Sequence, residues 1–112
     1  MSQILVMISS PARSVETLRA FQLARTLHVQ GRTVAVILLQ DAVPAVVGNG
    51  PAQDSGGLTA LVSRGVPVYA CEHDLMLRGF PPHAMVRGAQ AVNDQRIVDL
   101  MLADGTRTLG CF

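Results

Sequence analysis

The sequence predicts a single three-layer α/β/α domain built on a parallel sheet. Two observations carry this reading. Short apolar runs that read as strands alternate with segments of helical spacing, and the connections between them are short. The first two runs are also continuous rather than alternating, which marks strands buried on both faces and hence a parallel sheet. At 112 residues the chain has the length of one domain with its own core. Residues 1–112 are therefore read as one unit.

Taken in order, residues 3–8 (QILVMI) are the first buried strand. Ser9-Ser10-Pro11 breaks it, and Ser14 is placed to cap a helix with Glu16 in its first turn, where negative charge is favourable. Leu18, Phe21, Ala24 and Leu27 recur at helical spacing, and Gly31 supplies the stop. Residues 33–39 (TVAVILL) form a second, β-branched strand. Residues 41–47 read as a short helix capped by Asp41, with Pro44 early enough to be tolerated.

Residues 48–57 hold four glycines and one proline and are expected to loop over the carboxyl edge of the sheet. Leu58–Ser63 is a helix stopped by Gly65. Residues 66–71 are a third strand, with Pro67 near its beginning, where a missing donor costs least. Residues 74–78 form a helical turn closed by Gly79, and Pro81-Pro82 forbids continuation. Ala89–Val92 is a short strand. Asn93 or Asp94 caps a last helix carrying Ile97, Val98, Leu100, Met101 and Leu102. Gly105 ends that helix, and residues 106–112 close the sheet as the final strand.

Composition narrows the function classes. The chain is 49% apolar and only 15% charged, with a mean hydropathy of +0.35, which is hydrophobic for so small a domain. No apolar run reaches the length of a membrane span. The opening run lacks the basic lead and cleavage site of a signal peptide, so a cytoplasmic protein is expected. The apolar surplus then suits subunit interfaces, and a homo-oligomer is expected, with Leu75, Met76, Leu77, Phe80 and Met85 at or near the contacts. A net charge of +1, from nine scattered arginines against eight acids, gives no reason to expect nucleic acid.

Two cysteines and three histidines at these spacings match no zinc pattern, so no metal is expected. Ser9-Ser10-Pro11-Ala12 lies where a phosphate loop would, but it lacks the glycines of a dinucleotide turn and the lysine of a P-loop, so no cofactor is expected. Asp94, Arg96 and Asp99 read as the wet face of the last helix, and His28 and His83 as surface residues.

Chemistry centres on Cys71. It ends the third strand, and in an open α/β sheet ligands gather at the carboxyl ends of strands. A thiolate is favoured by nearby cations and by backbone amides aimed at it. His73 and Arg78 follow Cys71 closely, together with a turn whose amides can point at the sulfur. Glu72 and Asp74 oppose them. The plain alternative is a buried cysteine that only packs. Cys111, without charged neighbours, reads as a small hydrophobe. Both cysteines fall toward the same sheet edge, where Cys111 could approach Cys71 as a resolving thiol. Cys71 is expected to alkylate first.

GVPVYAC at residues 65–71, followed by Arg78-Gly79, carries a resemblance. With QILVMIS, the DAV after the second strand, the glycine-rich loop and the closing LADGTRTLGCF, the chain resembles the DsrE-like family of small sulfur-relay proteins. That family includes the DsrE/DsrF subunits and YchN-like members. The resemblance implies a parallel five-stranded sheet between helices, assembled into trimers or hexamers. It also implies a sulfur-carrying cysteine, which falls on Cys71, held as a persulfide and passed to a partner's thiol. Some members carry a second cysteine just after the first; here the stretch is Glu72-His73-Asp74.

Two functions follow. In the first the protein is a persulfide sulfurtransferase with Cys71 as nucleophile and His73 and Arg78 stabilising the anionic sulfur. Its partners are sulfur donor and acceptor proteins. In the second it is a non-catalytic oligomeric binding module, whose crevice holds a small molecule or a partner's tail.

Overall fold

The computed structural model of the chain describes residues 2–47 and 57–112. Most of the glycine-rich stretch expected to loop over the sheet edge (residues 48–56) lies outside these. Strands β1 (Gln3–Ile8), β2 (Thr33–Leu38), β3 (Val68–Cys71), β4 (Ala89–Val92) and β5 (Thr106–Leu109) form one sheet in the order β4-β3-β2-β1-β5. Every pairing is parallel. In register, Gln3 faces Thr33 on β2 and Thr106 on β5, and Val36 faces Val68 on β3.

The central strands are dry on both faces, as continuous apolar runs require. Leu5, Val6 and Ile8 on β1 and Ala35, Val36, Ile37 and Leu38 on β2 have no exposed surface. Helix α1 (Val15–Val29) lies over β1 and β2 and touches α2 (Leu58–Ser63). It buries Thr17, Ala20, Phe21 and Ala24 one turn apart. Helix α4 (Asp94–Leu102) packs against β5. The chain steps outward from β1 to β4 and then returns to lay β5 on the other side of β1. Right-handed crossovers put helices on opposite faces when the direction reverses, which gives the three layers.

Three local expectations are corrected. The segment after β2 is a 3₁₀ helix, Gln40–Val46, whose cap position is Leu39, with no side-chain cap. Asp41 does not cap it. The helix before Gly79 is longer than a turn and begins directly after the cysteine: α3 is Glu72–Leu77, with Cys71 itself in the N-cap position. The last strand stops at Leu109 rather than running to Phe112. Gly110, at φ +117°, turns the chain back, and the Phe112 amide donates to the Met7 carbonyl at 2.9 Å. A side chain at Gly110 would meet that same carbonyl at 2.5 Å.

The returning chain fills the point where the strand order reverses, between β1 and β5. There the Phe112 carbonyl accepts from the Ser9 amide at 2.7 Å and the Ser10 amide at 3.1 Å. That point is where open α/β sheets most often bind ligands. Here it is occupied by the protein itself, and two open clefts lie at the end of β3 instead.

Candidate functional site

Cys71 is the last residue of β3 and the cap of α3. Val68, Tyr69 and Ala70 are buried before it, and the change to Glu72-His73-Asp74 ends the strand at the sheet edge. The thiol is buried, at 4% exposure, at the foot of a cleft of about 300 Å³. Leu39, Ile97 and Val98 give the cleft an apolar wall; His73, Asp74, Asp94 and Gln40 line the rest. A second cleft of about 350 Å³ lies beside it and shares His73 and Asp94.

Asp94 was not legible as part of this site. It follows the Asn93 cap of α4, and its carboxylate Oδ1 accepts from the Cys71 Sγ–H at 3.8 Å. Position along the sequence suggested only a solvated helix face. The signal that could have found it is the pairing of β3 with β4, where Cys71 stands opposite Val92 and so brings the start of α4 to the sulfur.

Asp74 is held from two sides. Its Oδ2 accepts the Gln40 amide at 2.7 Å, and Arg78 approaches its Oδ1 at 3.7 Å. Gln40 itself has φ +50°, a left-handed conformation that a non-glycine residue adopts at some cost. The Asp74 carboxylate offsets that cost by taking the turned amide.

Arg78 is directed elsewhere than the sulfur. Its guanidinium pairs with Asp41 at 2.8 Å and donates to the Asp74 carbonyl at 3.2 Å. It lines neither cleft. The structure therefore brings His73, Asp74 and Asp94 to Cys71 and places Arg78 behind Asp74.

The thiol pKa is raised. Burial is the largest cause, because the anion loses water; the Asp74 side chain adds to it by hydrogen bonding and by charge. The backbone amides of Asp74 and His73 act in the opposite direction by donating to the sulfur. Desolvation and the Asp74 carboxylate outweigh the amides, so the resting group is a neutral thiol.

Cys111 is corrected on two counts. It is exposed rather than packed, and its Sγ donates to the Ser9 Oγ at 3.2 Å. It is also away from Cys71: its thiol lies beside Ser9, just past the end of β1, and β2 stands between β1 and β3, so those two strands are about 10 Å apart at ordinary strand spacing. A disulfide needs Cα atoms within about 7 Å, and the resolving role falls away. The expected order of alkylation reverses with it.

Among the described residues no group of three or more potential ligands is placed to hold a metal ion.

Comparison with known proteins bears on this arrangement. Residues 13–106 match the model of a protein family described as DsrH-like protein. The fold is similar to the crystal structure of the ychN protein from E. coli, at 22% identity and a TM-score of 0.77 over 97% of this chain and 99% of that one. It is also similar to MTH1491 from Methanobacterium thermoautotrophicum, a protein of unknown function, at 15% identity and a TM-score of 0.78 over 97% and 98% of the two chains. At these identities the two structures speak to fold alone. No curated protein matches the chain.

Proposed function

The chain belongs to the DsrH-like family, and from that premise we propose that it serves a sulfur relay, carrying sulfane sulfur as a persulfide on Cys71. The observation behind this is the placing of Cys71: a free thiol at the carboxyl end of β3, at the foot of an open cleft. In the loading step Sγ attacks the outer sulfur of a donor persulfide, R–S–SH. The Sγ–S bond forms and the donor S–S bond breaks. The donor leaves as a thiolate and takes up the proton that Cys71 gives up. In the unloading step an acceptor thiolate attacks the outer sulfur, and Cys71 is the leaving group. Neither step changes the overall oxidation level, and both follow the rules of thiol exchange.

His73, which lines both clefts, serves in this proposal as the imidazole that receives and returns the proton. Arg78 acts through Asp74, which it helps to fix. The relay needs donor and acceptor proteins as partners and no cofactor, and the cytoplasm, where thiols stay reduced, is its proposed setting. Among the described residues no helix is long and apolar enough to cross a membrane. Assembly into a homo-oligomer, a trimer or hexamer, is part of the same proposal.

The test is intact-mass spectrometry after incubation with a sulfane-sulfur donor. The protein is expected to gain sulfur on Cys71, Cys71→Ser to gain none there, and Cys111→Ser to load as the parent does. Absence of sulfur on Cys71 under conditions that load a known carrier overturns the proposal.

Burial of Cys71 and its raised pKa favour a second reading, a binding module in which this side chain only packs. In that case Cys71 resists alkylation in the native protein and reacts only in denaturant.

A further inference from the structure

We infer that the mouth over Cys71 selects its sulfur carrier by charge, accepting sulfane sulfur from a protein segment with Lys or Arg beside its persulfide and disfavouring small anionic donors such as thiosulfate. This rests on the relay reading of Cys71.

The two clefts at the end of β3 share His73 and Asp94 as a common ridge. Glu72, Asp74 and Asp94 present three carboxylates there, and among the described lining residues neither cleft has a Lys or Arg. Arg78, on the far side of Asp74, is taken by Asp41 at 2.8 Å and Asp74 at 3.7 Å, and Arg96, two residues on from Asp94 in the first turn of α4, lines neither cleft. Within the lining itself Glu72, Asp74 and Asp94 meet no guanidinium, which leaves the mouth net negative. The thiol hydrogen bond to Asp94 at 3.8 Å puts one carboxylate in contact with the reacting atom, so any carrier meets this charge at short range.

Because Cys71 is only 4% exposed, a donor must enter the cleft to present its sulfur. An anionic donor is repelled at the point where it must be closest. A cationic one is drawn in, and the carboxylates also hold it in register. The rim suits the stem of a long basic side chain: Val98, on the wall of the Cys71 cleft, is 49% exposed, and Lys and Arg lay their methylenes along such surfaces while keeping the charge in contact with water or an acid. The charge pattern therefore fits a basic peptide segment better than a small free anion.

The test uses the Cys111→Ser protein, in which Cys71 is the single thiol. Rates of modification by a trimethylammonium methanethiosulfonate and by its sulfonate analogue are compared, each relative to a free thiol. The cation-to-anion ratio is expected to exceed the free-thiol ratio about tenfold, the lower end of electrostatic steering. It should fall in Asp94→Asn and Asp74→Asn and collapse in high salt. If either variant does not fold, the salt dependence of the two reagents in the parent protein, opposite in sign, makes the same test. A ratio at or below the free-thiol value, or no labelling of native Cys71 by either reagent, overturns the inference.

A second arm compares loading from persulfidated cysteine peptides flanked by Lys or by Glu, with thiosulfate as the small anion. Faster loading from the Lys peptide is expected. Faster loading from the Glu peptide or from thiosulfate overturns the charge selection while leaving the relay standing. A clear cation preference in modification, with no sulfur gained from any donor, overturns the relay reading instead.

Discussion

At the scale of the residue, the decisive balance is on the Cys71 sulfur. Burial and the Asp74 carboxylate raise its pKa, and the amides of Asp74 and His73 recover only part of the difference. Only the thiolate reacts, so Cys71 at neutral pH is expected to alkylate more slowly than a free cysteine, with a rate that climbs until the pH passes its raised pKa. In the Cys111→Ser protein this is read as the midpoint of iodoacetamide rate against pH, placed above that of a free thiol. Asp74→Asn removes the carboxylate charge but keeps the backbone amide, and so should move the midpoint down. A midpoint that stays put in Asp74→Asn contradicts this account. In the parent protein a limiting dose of iodoacetamide at neutral pH should label exposed Cys111 before Cys71, as peptide mapping would show. That order does not argue against a relay, because an incoming partner can supply the positive charge that the resting site lacks.

At the scale of the element, α1 shows how one cap links a helix to the sheet edge. Ser14 Oγ accepts the Thr17 amide at 3.2 Å and donates to the Thr17 Oγ1, also at 3.2 Å. Thr17, fully buried, donates in turn to the Ser10 carbonyl at 3.0 Å. The turn after β1 and the first turn of α1 thus share one network. Ser14→Ala should destabilise the fold by about 1 kcal/mol, the usual cost of losing a serine cap. Ser14→Asp should recover most of it, since a carboxylate caps as well and suits the helix dipole. Urea unfolding with an unchanged slope and a lower midpoint is the expected result. An unaltered midpoint for Ser14→Ala means that the cap contributes nothing here.

At the scale of the whole molecule, the exposed apolar residues bear on assembly. Of those assigned to subunit contacts, Leu75 is corrected: it is 2% exposed and packs in its own core. Phe80 and Met85 also rest partly against that core. A helix turns about 100° per residue, so three consecutive residues spread over about 200° and cannot all face outward. Met76 and Leu77 are the outward pair, at 64% and 68% exposed. They adjoin the Cys71 mouth, so the proposed assembly would form its interface close to each site. Light scattering is expected to report a homo-oligomer at micromolar concentration, and Leu77→Glu to lower the mass toward that of one chain without loss of helical signal. A monomer in the parent protein removes the assembly from the proposal.

The sequence by itself determined the fold class, because burial on both faces of a parallel sheet writes continuous apolar runs at QILVMI and TVAVILL. It also determined the cap at Ser14 and, to within one residue, that of the last helix, which depend on neighbours three residues away, and the position of Cys71 at a strand's end. It did not show the partners of that cysteine. Asp94, 23 residues on, reaches the sulfur through the pairing of β3 with β4. Arg78 turns to Asp41, 37 residues back, because the 3₁₀ segment after β2 packs beside α3. Cys111, beside Ser9 at the end of β1, is kept from Cys71 by β2, and the final strand is cut short when Phe112 returns to Met7. Each of these depends on strand order and on the path of a crossover. Helix and strand periodicity and caps are local, set by the backbone within a turn or two. The meeting of side chains across a sheet is decided only when distant segments pack.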